Sequence, residues 1–136
     1  MTMTVQTIPQ GDVLHVAAGG PFSLSEAKRT FLDVMHVVEE LRLSKVLFDG
    51  RQVTGNPAII ERFYYGEFVA DEVKKMMERG WPGDSPQFAY VLREPILDPL
   101  RLGETVAVNR GVNIRAFDNR DEAVVWLGWR IRDGDA

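Results

Sequence analysis

Val46-Leu47-Phe48-Asp49-Gly50-Arg51, continuing through Gln52-Val53 to Thr54-Gly55-Asn56-Pro57, decides how the rest of this chain is read. Its apolar residues run together without alternation and are bounded by glycine and proline. That is the pattern of a short strand covered on both faces, as in a parallel sheet. The strand is expected to stop at Asp49, loop through two glycines and enter a helix. In open parallel sheets, ligands and partners meet the loops at the carboxyl ends of the strands. Residues 49–57 are therefore the expected functional edge, although no specific reaction or ligand is legible in them.

Upstream of this stretch, residues 3–8 alternate, Pro9-Gln10-Gly11-Asp12 supplies turn chemistry, and residues 12–18 alternate again. The two runs predict an antiparallel hairpin at the start of the sheet, ended by Gly19-Gly20-Pro21. Ser23-Leu24-Ser25-Glu26 has the spacing of a capping box. From there Ala27, Phe31, Val34, Met35, Val38 and Leu41 recur at helical spacing, giving a helix of about five turns. Asn56 followed by Pro57 reads as an N-cap and first helical position, opening a helix that runs to Arg79 and ends at Gly80.

Farther on, residues 88–92 form a second apolar strand, ended by Arg93-Glu94-Pro95. Asp98-Pro99 repeats the cap-then-proline signal for a shorter helix that Gly111 closes. Residues 112–117 form the last strand, and Asn119-Arg120-Asp121-Glu122 caps a final helix through Trp126 and Trp129. The order is β-β-α-β-α-β-α-β-α. It predicts an α/β fold with a mixed, mostly parallel five-stranded sheet covered by helices.

A chain of 136 residues is expected to form a single domain, with a core that needs no staples. The composition, 45% hydrophobic and 26% charged, is that of a soluble globular protein. A net charge of -4 offers no electrostatic attraction to nucleic acid or an anionic membrane. There are no cysteines, which excludes disulfides and thiolate metal sites. The first residues lack the basic and apolar regions of an export signal, and no run approaches the ~18 apolar residues of a membrane span. A cytoplasmic protein is expected.

Rotation by about 100° per residue sorts the second helix into faces. Ile59, Phe63, Gly66, Ala70, Val73 and Met77 share the arc expected against the sheet, with Gly66 allowing close approach. Ile60, Tyr64 and Phe68 line up on nearly the opposite side. Three apolar residues at i, i+4 and i+8 point to burial by something else, and a homodimer contact is the favoured reading. On the last helix, Val125 and Trp129 lie opposite Ala123, Val124 and Leu127, and are expected to pack on the hairpin or on residues 80–86.

Catalytic signatures are missing. His15 and His36 are the two histidines and have no metal-ligand spacing. No serine sits in a nucleophile elbow, and residues 49–57 lack the ending of a phosphate-binding loop. What remains is a polar set at the strand ends: Asp49, Arg51, Thr54, Asn56, Arg93 and Glu94. These residues read either as local pairs, turns and caps or as a recognition edge for a partner or an anion.

The hairpin, the first helix, Val46-Leu47-Phe48-Asp49 with Gly50-Arg51 and Gly55, Phe88-Ala89-Tyr90-Val91-Leu92, Asn109-Arg110-Gly111 and Asp121-Glu122-Ala123 together resemble the STAS, or SpoIIAA-like, domains of the anti-sigma-factor antagonists. The likeness falls nearest to uncharacterised bacterial relatives, which also resemble the CRAL-TRIO lipid-transfer fold. In the antagonists the loop after this strand carries an Asp-Ser-Ser/Thr-Gly signature with a phosphorylated serine. Gln52-Val53-Thr54-Gly55 stands at that place here, so Thr54 is the candidate phosphosite and the Asp is absent. The CRAL-TRIO likeness implies an apolar ligand between the second helix and the sheet, compatible with Phe63, Tyr64, Tyr65 and Phe68. The expected function is non-catalytic regulatory protein recognition through the loop after the third strand, without cofactor or metal. Binding or transport of a small apolar, lipid-like molecule is the alternative, and an enzyme of unidentified class comes third.

Overall fold

A computed structural model describes residues 3–98 and 101–128. Five strands form one sheet in the order β1 (Thr4–Gln10), β2 (Val13–Pro21), β3 (Lys45–Thr54), β4 (Gln87–Val91), β5 (Asn113–Phe117). β1 pairs antiparallel to β2, with Ile8 opposite His15, and every later pairing is parallel. The helices are α1 (Leu24–Leu41), α2 (Ile59–Glu78), α3 (Leu102–Asn109) and α4 (Arg120–Leu127).

Strand order explains where the helices lie. From β2 to β5 each strand is laid beside the last in one direction. Crossovers of constant hand then place their helices on one side. Phe31, Val34 and Val38 of α1, Val69, Val73 and Met76 of α2, and Ala107 of α3 accordingly share one core with Leu14, Val16, Val46, Phe48 and Phe88. α4 makes no crossover and packs on the other side, where Ala123 and Leu127 meet Val13, Leu47, Ala89, Val91 and Phe117. Val46, Leu47 and Phe48 are buried on both faces, as their unbroken apolar run requires.

Several boundaries differ from expectation. β3 does not stop at Asp49 but runs on to Thr54, and β2 includes Gly19-Gly20-Pro21. Each extension pairs with the other: Gly19 faces Gln52, Gly20 faces Val53 and Pro21 faces Thr54. Ala17 faces Asp49, so β3 takes three steps where β2 takes two, which is a bulge at Gly50-Arg51. Gly19 fits because a Cβ there would meet the Gln52 side chain at 3.2 Å.

α1 begins as read, with the Ser23 hydroxyl accepting the Glu26 N–H at 3.5 Å. Glu26 does not complete the capping box: its carboxylate instead accepts the Met3 N–H at 3.2 Å. Leu41 is exposed, and Leu43 fills the core in its place. α2 starts later than expected, with Ala58 as its N-cap and Glu61 accepting the Ala58 N–H at 2.9 Å. Asp98 accepts the Leu102 N–H at 3.1 Å, while Pro99 lies outside the described residues. Asn119 caps α4 by accepting the Glu122 N–H at 3.2 Å.

The burial phase of α2 is rotated from the one expected. Gly66, Val69, Ala70, Val73 and Met76 are buried, whereas Ile59 is 74% exposed. The helix packs on two neighbours at once, the sheet with α1 on one flank and α3 on the other, so no single stripe describes it. Gly66 makes its close approach to Gly103 of α3, not to the sheet. On α4, Val125 is 79% exposed rather than covered as expected; Trp129 lies outside the described residues.

Candidate functional site

The carboxyl ends of β3 and β4 lead into two loops, residues 55–58 and 92–98. One side chain from the first turn of α2 ties them together. Arg62 Nε donates to the Pro57 carbonyl at 3.2 Å and Nη1 to the Ile96 carbonyl at 2.8 Å. Its Nη2 donates to the Pro95 carbonyl at 2.6 Å and to Asn56 Oδ1 at 3.2 Å. A planar fork is suited to bridging several acceptors at fixed angles. Asn56 is thus part of a clasp across the rim rather than the N-cap of α2. The Glu94-Pro95 bond is cis, and the Arg93 carbonyl accepts the Leu97 N–H at 2.8 Å, closing the turn on that side.

Beneath the clasp lies a cavity of ≈ 170 Å³ between α2, α3 and the sheet. Phe48, Gly50 and Val53 of β3, Tyr90 of β4, and Ile114 and Ala116 of β5 make its floor. Tyr65, Gly66 and Val69 of α2 form one wall, and Leu92, Ile96 and Leu97 close the rim. The Tyr65 and Tyr90 hydroxyls are 2.7 Å apart, and the Tyr90 ring stacks on Phe48 with centroids 4.3 Å apart. Burial pushes the Tyr65 phenol up to about 12 and raises Tyr90 well above its ordinary value. Both are neutral donors at physiological pH.

Charged residues reach this cavity but are engaged within the chain. Arg101 donates to the Ala116 carbonyl and pairs with Glu104 at 3.4 Å. The same Glu104 carboxylate accepts the Ala116 N–H at 3.1 Å, and Asp98 caps Leu102.

The polar set named from sequence falls into three places. Asp49 and Arg51 form a bidentate pair, at 2.9 Å and 2.7 Å, and Arg51 also donates its backbone N–H to Asp49 at 3.3 Å. Asp49 follows Leu47 by two residues and so shares the α4 side of the sheet with half-buried His15. Arg51's hydrogen bonds hold the Asp49 carboxyl below its usual range, against the effect of desolvation. Thr54 is exposed at the end of β3, and its carbonyl accepts the Phe22 N–H at 2.8 Å. Asn56, Arg93 and Glu94 lie on the two rim loops and are exposed.

The stripe on α2 divides. Ile60 is 53% and Tyr64 46% exposed, but Phe68 turns inward against Phe31, with centroids 6.4 Å apart. Lys28 covers the Phe68 ring. Sequence reasoning did not single out Arg62 or Tyr90, and it named Tyr65 only as one of four aromatic residues compatible with an apolar ligand. An arginine one turn into an apolar helix start was the available signal for the first. Nothing short of the register between α2 and β4 would have paired the tyrosines.

No candidate metal cluster of histidine, aspartate and glutamate occurs among the described residues, and no helix among them is long and apolar enough to cross a membrane.

The fold is that of the STAS, or SpoIIAA-like, α/β domains. The chain superposes on the crystal structure of an anti-sigma factor antagonist from Mycobacterium paratuberculosis with a TM-score of 0.55, over 93% of this chain and 95% of that one. Sequence identity is 15%, so the likeness establishes the fold and not the activity. No family model matches the chain, and no curated protein matches it.

Proposed function

We propose that this chain is a non-catalytic regulatory domain that recognises a partner protein at the carboxyl rim of its sheet. The Arg62 clasp carries this reading. It joins residues 55–58 to residues 92–98 as one preorganised surface, and preorganisation lowers the entropic cost of binding. Asn56, Arg93 and Glu94 lie on that surface, with Thr54 beside it as the candidate phosphosite. Likeness of fold to an anti-sigma factor antagonist supports the same class of function. Asp49 and Arg51, satisfied by each other on the α4 side, serve the bulge more than the rim.

The test is quantitative affinity capture from the source organism's lysate, comparing the wild type with the Arg93→Glu/Glu94→Lys variant. A protein enriched by the wild type and lost with the variant supports the rim. Equal capture by both rules it out as the recognition surface.

A second reading, binding of a small apolar molecule, is favoured by the ≈ 170 Å³ cavity directly under the rim. An engineered apolar cavity of about 150 Å³ stays dry and binds benzene, so this volume suits a ring-sized guest. Self-association through Ile60 and Tyr64 remains part of the proposal, with inward-turned Phe68 removed from the contact and exposed Ile59 added to it.

A further inference from the structure

We propose that the cavity takes an uncharged, ring-sized apolar molecule bearing one hydrogen-bond acceptor, which the Tyr65–Tyr90 hydroxyl pair receives. This rests on the small-molecule reading above and specifies its ligand class.

Each phenol carries one O–H and can also accept. Across the 2.7 Å contact one hydroxyl donates to the other, which uses one of the two hydrogens. Among the described residues neither hydroxyl has a second partner, so the pair retains one donor. Both tyrosines line the cavity. A buried donor without an acceptor is costly, and a guest carrying a carbonyl or ether oxygen satisfies it.

The same walls bear on the charge of the guest. Among the charged liners, Arg101 and Glu104 pair with each other and with Ala116, while Arg62 is held by three backbone carbonyls and the Asn56 amide oxygen. A carboxylate or ammonium guest would lose its hydration against walls that are overwhelmingly apolar, a cost the charged groups at the cavity's margin, already held by other partners, offset only in part. Neutral guests lose little. Size follows from the volume, which accommodates one six-membered ring with a short substituent.

Three probes of one shape separate these points: acetophenone, with a ring and one carbonyl; ethylbenzene, without the acceptor; and benzoate, with a charge. Binding is measured on the full chain by titration, following the methyl resonances of Val53, Leu92 and Ile114. The expected order is acetophenone tighter than ethylbenzene by about 3–10-fold, the worth of one hydrogen bond, and benzoate undetectable at neutral pH. The Tyr65→Phe/Tyr90→Phe variant keeps both rings and should bring acetophenone down to ethylbenzene's affinity.

Ethylbenzene binding as tightly as acetophenone, or benzoate binding best, would overturn the ligand class while leaving the cavity reading intact. Failure of all three to shift those methyls would overturn the cavity reading itself. If the double variant does not fold, the wild-type ranking of the probes still decides the matter.

Discussion

Gly66 and Gly103 touch backbone to backbone: a Cβ built on residue 66 would lie 2.5 Å from the Gly103 carbonyl oxygen. This contact sets the separation of α2 and α3, and thereby the width of the cavity they border. A mid-helix Gly→Ala substitution ordinarily gains about 1 kcal/mol from propensity. Here Gly66→Ala must push a carbonyl aside. We expect a net loss of about 1–3 kcal/mol, the usual range for overpacking, read as a lower denaturation midpoint at unchanged slope.

Arg62 holds the two rim loops by several acceptors at once. Arg62→Lys keeps the charge but not the fork, so it should fail to restore the rim. Both Arg62→Lys and Arg62→Ala should speed amide exchange in residues 55–58 and 92–98 while leaving β2 and α1 protected. The expected stability cost of the alanine variant is about 1–3 kcal/mol.

Acid stability should show two steps with assigned origins. His15 has its pKa lowered from 6.5, first by burial and then by Arg120, so the folded state binds fewer protons than the unfolded one just below that value. Stability therefore falls as pH drops through 6.5. His15→Gln should flatten this first decline in urea titrations. Asp49, whose pKa is lowered from 3.8 by Arg51, contributes stability that is present above 3.8 and lost as pH falls through its folded value. Arg51→Ala should weaken this second step.

At the alkaline end the sign reverses. Tyr65 and Tyr90 keep their protons in the folded state beyond the ordinary value of 10.0, whereas the unfolded chain releases them there. Stability should decline above pH 10. Tyrosinate absorbance should develop in two phases, with the Tyr65→Phe/Tyr90→Phe variant lacking the late one.

Ile59, Ile60 and Tyr64 form the exposed apolar patch at the start of α2. If two copies meet there, Ile60→Asp/Tyr64→Asp should convert a dimer into a monomer in sizing chromatography. A wild type that elutes as a monomer would remove self-association from the functional account.

The fold was legible because its strongest signals are local. The unbroken Val46-Leu47-Phe48 run, the Ser23 and Asn119 caps and the stripe of α1 each depend on neighbours a few residues away. The misreadings share the opposite cause. Gly50 and Gly19-Gly20-Pro21 look like breaks until β2 and β3 are laid side by side, when each supplies the partner the other needs. Asn56-Pro57 has the residues of a helix start, but Arg62 draws both into the clasp. The phase of α2 was obscured by aromatic residues on three sides and by a second packing partner, α3. The resemblance to the CRAL-TRIO fold pointed to the space between α2 and the sheet, but the cavity's lining was out of reach because α2, β3, β4 and β5 each contribute only part of its wall.

The unequal dressing of the sheet has a consequence for how this molecule would come apart. Eight residues of α4 shield one side, while three helices armour the other. Peeling α4 away would bare Leu47, Ala89 and Val91 yet leave the arginine clasp and the chamber under it standing. The thin side is thus the natural place for partial opening, insulated by a whole sheet from the surface where recognition is proposed to occur.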